Sequence, residues 1–91
     1  MKTFKKIKGL KLVKNRLTTD GLCKILDHLP SVTNLNLSFN QLTDDAVNLL
    51  LSSKDKVPLL RIVNLSNNKI NERRAKSMIE ELKKQGLIVT I

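Results

Sequence analysis

Residues 32–42 read VTNLNLSFNQL, and the spacing within them decides the fold. Val32, Leu35, Leu37 and Leu42 are the apolar positions, with Asn40 between the last two. The same grammar recurs upstream as Ile7, Leu10, Leu12, Asn15 and Leu17. It recurs downstream as Leu60, Val63, Leu65, Asn68 and Ile70. Asn15 to Asn40 is 25 residues and Asn40 to Asn68 is 28. Self-similarity at such a period is the signature of one structural unit stacked on the next.

Each unit opens with a short alternating piece. In Leu35-Asn36-Leu37 the side chains point in, out, in, as a strand requires. The asparagine follows where the chain leaves the strand. Its amide suits the backbone groups that a turn leaves unpaired, so Asn15, Asn40 and Asn68 are expected to form an interior ladder. Leu17, Leu42 and Ile70 close that turn onto the core. One such unit cannot bury its own apolar face, so neighbours must stack. The strands are then parallel, and helices return the chain on the other side. The expectation is an α/β fold: a short right-handed solenoid with a parallel sheet on the concave side and helices on the convex side. It forms one domain over residues 1–91, with units at 7–31, 32–59 and 60–86 and a final strand at 87–91.

The first strand is expected over about residues 8–13, with Phe4 folding over the open end of the core. The three helices share one plan. Thr18, Thr43 and Asn71 are the N-caps, and Asp20, Asp44, Asp45 and Glu72 are first-turn acids that suit the helix dipole. Leu22, Ile25, Leu26 and Leu29 form the inward face of the first helix, which Pro30 and Ser31 end. Val47, Leu50 and Leu51 do so in the second, and Ala75, Met78, Ile79 and Leu82 in the third. The insertion SSKDKVP, residues 52–58, accounts for the longer interval. Glu72, Lys76, Glu80 and Lys84 alternate in sign on a solvated face, and Gly86 is placed to terminate the helix. Val89 and Ile91 in the closing LIVTI match strand positions of a fourth unit. An uncovered strand edge there makes self-association an expectation.

Composition sets further bounds. The net charge is +9, and residues 1–16 hold seven basic residues and no acid. Two phenylalanines are the only aromatics, so the core is aliphatic. A single cysteine, Cys23, excludes an internal disulfide and favours a reducing compartment. No apolar run reaches the roughly 18 residues of a membrane span. The basic start is broken too often for a secretory signal. A cytoplasmic or otherwise intracellular location is the default expectation.

These residues resemble the leucine-rich repeat proteins, and within them the ribonuclease-inhibitor-like type. The subtype rests on the helical return LTDDAVNLLL, residues 42–51, and on a small residue, Gly21 or Ala46, at the start of each apolar face. Arg74 departs from that pattern at the third such position. The resemblance covers residues 7–91. It implies a protein-binding scaffold that uses the concave sheet, and carries over the structural motif without naming a partner.

No catalytic constellation is present in the pattern of residues. His28 is a lone histidine beside Asp27, Cys23 and His28 are too few for zinc, and Asp44-Asp45 belongs to a helix start. Gly9, Gly21 and Gly86 are isolated and make no phosphate loop. The expectation is therefore no enzyme, no metal and no cofactor. The outward strand positions remain, in rows Lys11, Asn36, Asn64, Thr90 and Gly9, Asn34, Ile62, Ile88. From these and their flanks the candidate protein-binding residues are Lys11, Lys14, Asn34, Asn36, Phe39, Arg61, Ile62, Asn64 and Asn67. Phe39, Arg61 and Ile62 are the strongest anchors, since interfaces favour exposed aromatic, arginine and apolar groups. The partner is a protein, and the basic residues suit an acidic one. The alternative is a ribonucleoprotein or nucleic-acid component docked through residues 2–16, without aromatic stacking platforms.

Overall fold

The computed structural model describes residues 5–91. Phe4 and Lys2, named above as a cap and as part of the basic end, lie outside the described residues. Strands and helices alternate along the chain: β1 (Gly9–Lys11), α1 (Thr19–Leu26), β2 (Asn34–Asn36), α2 (Asp44–Ser52), β3 (Ile62–Asn64), α3 (Glu72–Lys84) and β4 (Ile88–Thr90). The four strands form one sheet in the order β1-β2-β3-β4, parallel throughout. Leu10, Leu35, Val63 and Val89 are in register, so the two outward rows expected from the sequence line up as drawn.

Alternation within each strand produces one apolar and one polar sheet face. Leu35 and Val63 are buried while Asn34 and Ile62 are exposed. Leu22, Leu26, Ala46, Val47, Ala75 and Leu82 pack from the helices onto the inner face. The middle of the stack is sealed: Leu35, Leu37, Leu42 and Val63 are at most 1% exposed. The ends are not. Ile7, Leu10, Leu12 and Leu17 on one side, and Leu87, Val89 and Ile91 on the other, are only partly buried. Burial thus falls off where a unit has a neighbour on one side alone.

The first strand is shorter than its expected span. The backbone pairing nevertheless continues, with Leu12 N donating to Asn36 O at 2.8 Å and Lys14 N to Ser38 O at 3.3 Å. The first helix also stops sooner, at Leu26. Leu29 is buried, but in a turn whose amides reach back three residues, His28 N to Ile25 O and Leu29 N to Leu26 O. The residue before Pro30 is disfavoured in helical geometry, which explains the tightening. His28 is half-buried, and among the described residues its Nδ1 has no hydrogen-bond partner.

Two of the three expected caps form. Thr18 Oγ1 accepts from Gly21 N, and Asn71 Oδ1 accepts from Arg74 N. Thr43 makes no side-chain cap. Its neighbour Asp44 instead accepts from Asn71 N at 2.7 Å, which ties the starts of α2 and α3 together. Ala46, one of the small residues, is fully buried, whereas Arg74 is exposed and has no tight space to fit. The insertion before β3 folds into turns that bury Ser53 and Val57. Lys56 reaches from it to Asp27 at 2.8 Å. The hydrogen bond from Lys56 holds the Asp27 carboxyl below its usual range and raises the ammonium. A depressed carboxyl stabilises the fold above its unfolded pKa, and that contribution is lost as pH falls through the folded value.

Gly86 follows α3 at φ +95°, with Gly86 N donating to Lys83 O and Leu87 N to Leu82 O. That is the paired closure in which a left-handed residue ends a helix. Nothing lies within 4 Å of where a Cβ would sit, so an alanine meets only backbone strain. Gly86→Ala is expected to cost about 1 kcal/mol in urea unfolding.

Candidate functional site

The ladder asparagines position the edge of the open sheet face. Asn40 is 8% exposed. Its Nδ2 donates to Leu12 O at 2.7 Å, Leu37 O at 3.0 Å and Ser38 O at 3.2 Å. Its Oδ1 accepts from Asn15 N at 2.8 Å and Leu17 N at 2.9 Å. One side chain therefore staples its own turn to the turn of the preceding unit. Asn68 repeats this with Leu37 O, Leu65 O, Ser66 O and Leu42 N. Asn15 departs from the expected ladder. It is exposed, and its Nδ2 reaches only Val13 O at 3.1 Å. Among the described residues no strand lies outside β1, so there are no earlier carbonyls to bridge.

The residue before each ladder asparagine adopts left-handed geometry: Lys14 at φ +61°, Phe39 at +58° and Asn67 at +57°. None is a glycine, so residue type alone does not mark these three positions as left-handed. Asparagine tolerates that region, whereas a bulky aromatic is a costly choice there. Phe39 is also 50% exposed. Lys14 Nζ lies 5.5 Å from its ring centroid, within cation–π range. Phe39→Asn removes an exposed ring and relieves the backbone. Its stability is expected to stay within about 0.5 kcal/mol of the parent. A loss above about 1 kcal/mol in urea unfolding would make the ring structural.

The outward face itself forms a shallow groove of about 570 Å³. Lys11, Asn34, Asn36, Ile62 and Asn64 line it together, joined by Gly9 and Thr90. The candidate residues thus divide. Those five share the groove. Lys14 and Phe39 sit together in a separate depression with Arg16 and Gln41. Arg61 and Asn67 are exposed but line neither. Ser38 and Ser66, two residues past the outward carboxamides, are turned back onto them. Ser38 Oγ and N donate to Asn36 Oδ1, and Ser66 Oγ and N donate to Asn64 Oδ1. An amide N–H requires an acceptor, which fixes the orientation of both carboxamides. Their oxygens are used, and their Nδ2 groups remain as donors for a ligand.

Charge is divided along the same line. All eight carboxylates fall in residues 19–31, 43–59 and 72–85, the helices and their return loops, beside eight cations. The other nine cations fall in residues 1–18 and 60–71, which hold no acid; Lys11 among them lines the groove, whereas Lys69 lies beside Asp44 and Asp45. Gly9 and Thr90, placed above in the outward rows, and Arg16, counted only within the basic end, were not among the candidate protein-binding residues. The signal for the division was present in the positions of the acids.

Among the described residues no group of three or more histidine, cysteine, aspartate or glutamate side chains is placed to hold a metal. No helix among them is long and apolar enough to cross a membrane. Comparison with protein-family models, curated proteins and solved structures returns no match.

Proposed function

We propose that this chain is a non-enzymatic protein-binding module, built as a short right-handed solenoid of the leucine-rich repeat type. Its partner lies on the concave, helix-free face of the sheet. The observation that carries this reading is the groove over four strands, where Ile62 is 38% exposed amid polar side chains, with Ile88, 61% exposed, next to it in the same outward row. Exposed apolar groups grouped in one concavity support binding, whereas scattered ones mean little.

Two substitutions test it. Gly9 has nothing within 4 Å of its Cβ position and lines one end of the groove, so Gly9→Trp sets a bulky side chain there from an open Cβ position. Phe39→Ala with Arg61→Ala removes two exposed anchors that lie outside the groove lining. Both variants are expected to keep the parent melting temperature and to lose most partner capture, as hot-spot truncation does. Full capture by both folded variants would end the concave-face reading. Self-association belongs to the same proposal, because β1 and β4 each have one unpaired edge among the described residues. A monomer alone in light scattering at high concentration removes it. Docking of nucleic acid through the basic end is the second reading. It predicts binding that weakens steeply with salt.

A further inference from the structure

We infer that the groove takes an extended acidic segment of a protein partner, with an apolar side chain a few residues beyond its carboxylate. This rests on the reading of the open face as the binding surface, and adds the chemistry of the occupant. Three observations carry it. The strand segments, residues 1–18 and 60–71, carry nine cations and no carboxylate, and Lys11 among them lines the groove. The carboxamides of Asn36 and Asn64 have spent their oxygens on Ser38 and Ser66, so the middle of the face offers donors. Finally, the face is graded. Lys11 stands on β1, and Ile62 and Ile88 stand on β3 and β4.

A donor-rich face with Lys11 at one end and no carboxylate among its lining residues matches carboxylates and peptide carbonyls, and disfavours a basic partner through unpaired like charges. The exposed isoleucines give a phosphate backbone nothing, and Phe39 is the only described aromatic able to stack on a base. A peptide is therefore favoured over a nucleic acid. Its spacing follows from the sheet. Adjacent strands lie ~4.8 Å apart, and an extended chain advances ~3.3 Å per residue. Crossing from Lys11 to Ile62 or Ile88 takes about three to five residues. The occupant thus presents Asp or Glu near β1 and Leu, Ile or Val that distance along.

The test is selection of a displayed library of random linear peptides on the full chain, followed by anisotropy with the enriched peptides. Enrichment of acidic peptides with that spacing is the expected result. Their affinity should fall as salt rises from about 0.01 M to about 1 M, where the screening length shrinks from ~30 Å to ~3 Å. Lys11→Glu with Lys14→Glu should weaken binding by about tenfold or more. Lys76→Glu with Lys84→Glu makes the same charge change on α3 and should leave affinity within about twofold. Enriched peptides that Gly9→Trp blocks but that are neutral or basic overturn the acidic occupant and spare the open face. Peptides indifferent to Gly9→Trp overturn both. An RNA or DNA oligonucleotide that binds while acidic peptides do not overturns this inference in favour of phosphate.

Discussion

Asn40→Ala is expected to lower stability by about 3 kcal/mol, which for a domain of this size moves the melting temperature down by roughly 12–24 °C. The carboxamide bonds three carbonyls and two amides from two successive turns, at 8% exposure. Removing it strands those groups where water enters poorly, and each buried unpaired group costs about 1–3 kcal/mol. The neighbouring positions give the comparison. Asn68→Ala removes a partly buried rung with four bonds and should cost less, about 2 kcal/mol. Asn15→Ala removes one exposed contact and should stay within about 0.5 kcal/mol. Urea unfolding of the three variants reads the order directly. Equal losses at all three positions would show that the side chains act within their own turns and do not bridge units.

Leu37→Ala is the second large effect, at about 3–4 kcal/mol. Leu37 is fully buried, with units packed on both sides. Leu12 holds the same position in the first unit, yet is only partly buried. Leu12→Ala should therefore cost about half as much, because less apolar surface is lost and water already reaches the site. Thermal and urea unfolding check the pair, and equal costs would contradict nearest-neighbour stacking as the source of stability. Leu37 and Asn40 are also coupled, since Asn40 Nδ2 bonds Leu37 O. Combining both alanines is expected to fall short of additivity.

These variants leave the outer face intact. Variants of the outer face can therefore be read for binding apart from those that change the core. Phe39 marks the boundary between the two. Its ring is expected to stabilise little, and at its left-handed backbone Phe39 N donates to Ser66 O in the continued pairing. Strain kept at an exposed aromatic residue is what a binding role would favour over a purely structural one.

The periodic residues alone determined the parallel sheet, its register, the inward helix faces and the outward rows. Position 35 must face in if positions 34 and 36 face out, and a repeat of that pattern fixes which strand lies beside which. Gly86 was legible for a similar reason, because a local backbone requirement leaves a local residue choice. Only the tertiary structure decided the rest. Asn15 and Asn40 occupy the same place in the motif, but bridging needs the carbonyls of a preceding strand, which Asn15 lacks among the described residues. Thr43 has the residue type of a cap, while the backbone places Asp44 against α3 instead. The turned-back serines, the used carboxamide oxygens and the groove that gathers Lys11 with Ile62 all depend on atoms distant or differently oriented in the chain. Spacing specifies which side of an element a residue takes, whereas its partners depend on what the neighbouring unit brings within hydrogen-bond reach.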